Sequence, residues 1–187
     1  GVPEAVATAT CAFPSDAAAI DTVIAAIQYG LSPARIEYMD AESVAAVNAR
    51  DGLGLKPAPH LLVEFHGTEA GVADETARFG EVAAEFGAED FRWSDVQEER
   101  NALWRMRHGA YWAIVASRPG ARAVVTDLCV PISRLAEAIA ETRADIAESG
   151  LRGPLVGHVG DGNVHAALLI DPERPEEFER AKRLADR

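Results

Sequence analysis

Cysteine is scarce in this chain: Cys11 and Cys129 are the only two, and neither belongs to a Cys-x-x-Cys pair. Two buried thiols in a reducing compartment are therefore expected, and no disulfide framework. Aromatic residues make up only 6%, so the core has to be built mostly from small aliphatic side chains. No basic start leads into an apolar h-region, and no apolar run approaches the length that spans a bilayer. Basic residues are also few, 18 against 30 acidic ones. The net charge of −12 argues against nucleic acid or an anionic bilayer as a partner held by general electrostatics. A local arginine can still hold an anionic substrate. There is no glycine-rich dinucleotide fingerprint and no phosphate-cradling loop, so the chain alone shows no means of holding a nucleotide cofactor. It begins at "GVPEAVATATCAFPSD" without a methionine and stops at "RAKRLADR" inside a helical pattern, so both ends read as cuts.

With 48% hydrophobic and 26% charged residues over 187 positions, the composition is globular and the length fits one substantial domain or two small ones. "AVATATCAF" reads as a strand, followed by a helix in "SDAAAIDTVIAAIQYG" with Ser15 or Asp16 as its N-cap and Gly30 at its end. "ARIEYMD" is a short strand and "AESVAAVNARDG" a short helix. "HLLVEFHG" is a strand that places Leu61, Val63 and Phe65 on one face and Leu62, Glu64 and His66 on the other. A long helix in "TEAGVADETARFGEVAAEFGA" follows. The second half repeats the rhythm: strand "EDFRWSD", one long helix "VQEERNALWRMRHGAYWAIVASR", strand "GARAVVTDLCVP", helix "ISRLAEAIAETRADIAESG", a hairpin and a last helix in "ERPEEFERAKRLADR". Strand and helix alternation ordinarily suggests a parallel sheet, but a hairpin requires antiparallel pairing. The expected fold is α+β: a mostly antiparallel sheet with helices on one face, in two similar α/β halves of ferredoxin-like character, with the other face left for a partner surface.

The hairpin lies in "GHVGDGNVH", residues 157–165, where two of the five histidines stand seven apart around Asp-Gly. A type I′ turn at Asp161 and Gly162 would set His158 directly opposite His165, with Cβ atoms roughly 4.5–5.5 Å apart. Asn163 would share their face, and Val159 and Val164 would point to the core. Paired imidazoles suit half of a transition-metal site, while a solvated hairpin face is the plain alternative. Asn163 can bind substrate or fix the turn. Glu64 and His66 can be an acid/base pair or a satisfied polar patch; His60 reads as a loop residue. A hydrolase-like metal domain would need a third ligand, with Glu64 or Asp161 the nearest donors by type, and a non-catalytic interaction module would need none.

Five blocks in order, "NARDGLGL", "HLLVEFHGTEAGV", "LWRMRHGAYWA", "VVTDLCVPISRLAEAI" and "GHVGDGNVHAALLIDP", resemble the C-terminal substrate domain of FAD-linked oxidases of the D-lactate dehydrogenase (cytochrome) and glycolate oxidase kind. The resemblance covers nearly the whole chain and implies that residues 1–187 are the substrate and metal domain of a longer enzyme whose FAD-binding domain lies N-terminal. It implies that His158 and His165 bind a divalent metal (Zn, Mn or Fe). Arg107, otherwise a solvated helix residue, would bind the substrate carboxylate. His108 would be structural. The metal would assist deprotonation of the hydroxyl of a D-2-hydroxy acid, most readily D-lactate, as hydride passes to flavin N5. Ala167, where relatives acting on larger dicarboxylates carry asparagine, points to a small monocarboxylate. A Glu-His-Gly segment that completes the site in relatives lies beyond this sequence, so the chain alone is expected to be inactive. The implied partners are a 2-hydroxy acid, a cytochrome c or quinone acceptor and a second copy in a homodimer. The implied location is cytoplasmic or peripheral to the inner membrane.

Overall fold

The alternating runs form seven strands in a computed structural model that describes residues 3–187: β1 (Ala5–Ala12), β2 (Arg35–Met39), β3 (His60–Gly67), β4 (Glu89–Ser94), β5 (Arg122–Cys129), β6 (Leu155–His158) and β7 (Asn163–Ile170). They make one sheet in the order β4-β1-β3-β2-β6-β7-β5, with every neighbouring pair antiparallel. The helices are α1 (Asp16–Gln28), α2 (Ala41–Asp51), α3 (Glu69–Glu85), α4 (Gln97–His108), α5 (Ala110–Ala116), α6 (Leu135–Ser149) and α7 (Pro175–Ala185). Caps fix several starts. Ser15 accepts from the Ala18 amide, Asp40 from Ser43 and Thr68 from Gly71, each satisfying a first-turn N–H that has no intrahelical partner.

The two similar halves are real. In the first, β1, α1, β2, β3, α3 and β4 place their strands in the order β4-β1-β3-β2; in the second, β5, α6, β6, β7 and α7 follow the same course, with the order β6-β7-β5. The halves meet where β2 pairs with β6, Tyr38 opposite Gly157 and Met39 opposite Val156.

The fold is α+β and antiparallel as the sequence suggests, but the helices divide between the faces. On one face Leu61, Val63 and Phe65 of β3 pack with Ile20 and Val23 of α1, Phe79 of α3, and Leu135 and Ile139 of α6. On the other, Met39, Leu62 and Leu169 pack with Val44 and Val47 of α2, Trp104 of α4, and Ala113 and Ile114 of α5. The face expected to stay open is thus partly covered, because the connections carrying α2, α4 and α5 have apolar stripes of their own to bury. The single long helix expected across 96–118 is two helices that break at Gly109, whose carbonyl accepts from the Arg50 guanidinium.

The β6–β7 connection also departs from expectation. Val159–Asp161 form a 3-10 turn, so that His158 opposes Asn163 and His165 opposes Val156. Val159 is fully buried, as the hairpin would also have it; what differs is the backbone, which closes a 3-10 turn on Gly162 instead of a two-residue loop. Only Gly162 is left-handed, at φ 73°; Asp161 is not, so no type I′ turn forms. Gly162 donates to the Val159 carbonyl at 3.2 Å, and its own carbonyl accepts from Val130 at 3.0 Å. A Cβ at this position would lie 2.0 Å from the Val130 oxygen. Two smaller expectations change as well. Cys11 is buried, and burial pushes its thiol up to about 12, but Cys129 on the edge strand β5 is exposed. His60 is not a loop residue: it starts β3, is buried and pairs through Nδ1 with the Ala58 carbonyl at 2.8 Å.

Candidate functional site

Strand registers decide which side chains share a face. Arg35 opposes Glu64, Met39 opposes Val156, His158 opposes Asn163, and His165 opposes Asp127. Because alternate residues project to the same side, Arg35, Glu37, Glu64, His66, His158, Asn163, His165 and Asp127 all stand on the face that α2, α4 and α5 only partly cover. The result is a polar band across the sheet, centred on the seam between the halves.

The histidines keep their shared face despite the changed register. They are diagonal rather than opposed, with ring centroids 5.6 Å apart and planes at 83°. His158 Nδ1 lies 2.6 Å from Glu37 Oε1, and His165 Nδ1 contacts Asp127 Oδ1. An ionised carboxylate can only accept, so each Nδ1 carries a proton, and in the neutral ring Nε2 keeps its lone pair. Imidazoles oriented by carboxylates in this way have the form of metal ligands with their supporting shell. The two supports differ in kind: the Glu37 side chain is 7% exposed and that of Asp127 77%.

Arg107 is not a solvated helix residue. It is 9% exposed, and its Nη2 lies 2.9 Å from Glu37 Oε2. The spacing along α4 explains this, since Trp104 and Arg107 are three apart and therefore project together towards the sheet. Trp104 reaches Glu64, and Arg107 reaches Glu37 on the adjacent strand. The contact between Arg107 and Glu37 is an ion pair without hydrogen-bond alignment, and Glu37 Oε2, Arg107 Nε and Asn163 Oδ1 are all buried without a hydrogen-bond partner. Unsatisfied buried polar atoms cost about 1–3 kcal/mol each, so three on neighbouring elements of one face mark a region that gains from a polar ligand. A cleft of about 250 Å³ opens against Glu37 and His158, with Ser32 and Asp161 also on its wall; Arg107, Asn163 and His165 do not line it. A more apolar cavity of about 310 Å³ lies among β4, α4 and residues 53–56, lined by Leu55, Leu103 and Met106; none of the paired histidines reaches it.

Glu64 belongs to a separate, saturated hub. Its carboxylate accepts from Trp104 Nε1 at 2.5 Å, His66 Nε2 at 2.7 Å, Arg35 Nη2 at 2.9 Å and Thr8 Oγ1 at 3.3 Å. The Arg35 guanidinium stacks 4.4 Å over the Trp104 ring. Burial pushes the Glu64 carboxyl up, but the His66 bond, the Arg35 charge and the Trp104 bond outweigh it and hold it below the ordinary range. Glu64 and His66 therefore form the satisfied patch, and Glu64 is no third ligand. Asp161 is exposed in its turn. Among the described residues no group of three His, Cys, Asp or Glu side chains converges to hold a metal ion. The third donor that a hydrolase-like site would need is missing from that set. The two imidazoles supply two donors of the type a divalent ion takes, on one face with ring centroids 5.6 Å apart. His108 lies exposed near Trp104, and Ala167 is buried two residues beyond His165 on the same face.

Sequence reasoning missed Glu37 and Asp127. For Glu37 the available signal was "RIEYM", in which two charges recur at strand spacing between apolar residues.

Residues 2–187 match the family model described as FAD linked oxidases, C-terminal domain. The chain is 40% identical over its whole length to "Probable D-lactate dehydrogenase, mitochondrial" of Danio rerio, of which it spans 38%. It is 36% identical over 98% of its length to "D-lactate dehydrogenase [cytochrome], mitochondrial" of Arabidopsis thaliana, spanning 32% of that protein. "Glycolate oxidase subunit GlcD" of Escherichia coli (strain K12) is 30% identical over 84% of the chain, which spans 32% of that protein. The fold resembles that of 4-ethylphenol oxidase from Gulosibacter chungangensis, with a TM-score of 0.70 at 13% identity over 98% of this chain and 43% of the other. It also resembles p-cresol methylhydroxylase, with a TM-score of 0.67 at 16% identity over 98% of this chain and 42% of the other.

Proposed function

The chain belongs to the family of FAD linked oxidases, C-terminal domain, and from that premise we propose that residues 1–187 form the substrate- and ion-binding domain of an FAD-dependent D-2-hydroxy acid dehydrogenase acting on D-lactate. The observation that carries the reading is the gathering of Arg107, Glu37, His158, Asn163 and His165 at one seam on the partly open sheet face. Arg107 binds the substrate carboxylate: Glu37 occupies its Nη2 side, and its unpartnered Nε leaves donor capacity for an anion. His158 and His165 would hold a divalent ion (Zn, Mn or Fe) through Nε2. Such an ion, when bound, supplies Lewis acidity that lowers the pKa of a coordinated hydroxyl. Asn163, opposite His158 on the same face and with its Oδ1 unpartnered, would accept from the substrate hydroxyl and orient it.

FAD, when bound, supplies the hydride acceptor, and the task of this chain is to hold the substrate at the open face with its α-hydrogen directed outward. Ala167, buried beyond His165, offers no polar group to a second carboxylate, which supports a small monocarboxylate. The acceptor proposed is cytochrome c or a quinone; relatives named as cytochrome-linked dehydrogenases support it. No described helix is long and apolar enough to cross a membrane, which fits an enzyme peripheral to the membrane that holds its acceptor.

Anaerobic stopped-flow mixing of the whole flavoprotein with D- and L-lactate tests the proposal. Flavin bleaching by the D isomer, with an Arg107→Met variant that needs at least about tenfold more D-lactate for half-maximal rate, is the expected outcome. Absence of bleaching by any D-2-hydroxy acid would overturn it.

A further inference from the structure

Glu37 touches both halves of the proposed site. It is buried at the centre of the sheet, on the last strand of the first half before the seam. One carboxylate oxygen accepts from His158 Nδ1–H at 2.6 Å, and the other lies 2.9 Å from Arg107 Nη2. A buried carboxylate persists only when its charge is answered, and here the answers come from the proposed anion-binding arginine and one proposed ion ligand. Asp127 makes the matching contact to His165 from an exposed position, where water competes for both partners. His158 is itself half-exposed, but the Glu37 carboxylate is buried and water does not compete for it, so its bond decides which ring nitrogen of His158 is free.

We propose that Glu37 is a positioning residue: held by Arg107, it fixes His158 in the Nδ1–H tautomer and turns the His158 Nε2 lone pair towards the ligand space. The ligand roles of His158 and Arg107 rest on the function proposed for the site; the tautomer does not. The two halves of the seam are thereby joined, since a movement of Arg107 towards an anion is transmitted through one carboxylate to the imidazole.

The test is nitrogen-15 NMR of the histidine rings in the protein at about pH 8.5, where imidazole is ordinarily neutral, together with calorimetric titration of Zn²⁺. The wild-type protein should show His158 protonated on Nδ1. Glu37→Leu should lose that signature while His165 keeps its own, and the isosteric Glu37→Gln should weaken Zn²⁺ binding by about tenfold or more. Arg107→Met should shift the His158 Nδ1–H resonance. An Nε2–H tautomer in the wild-type protein overturns the proposal without recourse to any variant, and so does a tautomer unchanged by Glu37→Leu. An unshifted resonance in Arg107→Met overturns the link to the arginine. If the tautomer depends on Glu37 but the wild-type protein takes up no Zn²⁺, the positioning role stands and the ion-binding part of the functional reading fails.

Discussion

The seam that positions Glu37 against His158 is stapled from the opposite face of the sheet by Arg143, and replacing Arg143 with methionine should loosen it measurably. Asp40, the residue after β2, is fully buried. It accepts from the Ser43 amide at 2.6 Å, the Leu155 amide at 2.8 Å and Arg143 Nη2 at 2.6 Å, so one carboxylate caps α2, anchors the start of β6 and receives a guanidinium from α6. Arg143 also bonds Asp16, which in turn accepts from the Tyr38 hydroxyl. Removing one partner of a buried ion pair costs about 3–5 kcal/mol. Arg143 is 32% exposed, and two backbone donors remain on Asp40, which brings the expected loss to about 2–3 kcal/mol. For a chain of this size that corresponds to a fall of roughly 5–10 °C in Tm. The loss should depend on pH. Burial raises the Asp40 carboxyl above its ordinary 3.8, while the Arg143 charge and the Ser43 and Leu155 bonds pull against it. A folded pKa above the unfolded one means that the folded state takes up the proton first. The variant, with that pull removed, should therefore recover stability as the pH falls through the Asp40 titration, narrowing its gap to the wild type. Urea melts at about pH 7 and about pH 4.5, with the Asp40→Asn/Arg143→Met double variant closing the cycle, provide the assay. A loss below about 1 kcal/mol at neutral pH, or a gap that widens on acidification, would refute the reasoning.

Gly162→Ala should destabilise by at least ~2 kcal/mol in urea melts, because the position is left-handed and its Cβ would meet the Val130 carbonyl at 2.0 Å. Trp104→Phe removes the 2.5 Å indole donor to buried Glu64 and should cost about 1–2 kcal/mol in the same assay, whereas an exposed tryptophan of this chain, Trp112, should tolerate the change. Arg118 grips Glu177 through two bonds of 2.8 and 3.0 Å, and with the Asp171 amide it holds that carboxyl down to about 2 from an ordinary 4.5. A folded pKa below the unfolded one gives a contribution complete above about 4.5 and lost as pH falls towards 2. Acid titration of stability should accordingly be shallower in Arg118→Met.

Much of the fold was legible because it is local. The alternation in "HLLVEFHG" assigned Leu61, Val63 and Phe65 to one face and Leu62 to the other, as packed. The strand and helix rhythm disclosed the two halves. What was not legible depended on long-range packing. An Asp-Gly pair announces a hairpin, but the turn that forms is a 3-10 turn closed by Gly162, whose carbonyl is held by the Val130 amide more than thirty residues away, a contact that no turn rule contains. Arg107 and Arg105 look alike in "LWRMRHG"; only the docking of α4 on the sheet makes one buried and leaves the other exposed. The same docking turns Glu37 from a strand acid into a buried partner, so it had no signature strong enough to single it out. The histidine pair itself was readable from spacing, and its shared face survived the wrong register because diagonal neighbours in a ladder still point the same way.

The most direct test of the site is divalent-ion binding by the chain after chelation, measured beside a His158→Ala/His165→Ala double variant whose fold is checked by circular dichroism. Stoichiometric uptake of Zn²⁺ or Mn²⁺ by the wild-type chain, abolished in the variant, is the predicted result. Equal uptake by both would contradict the assignment of His158 and His165 as an ion-binding pair.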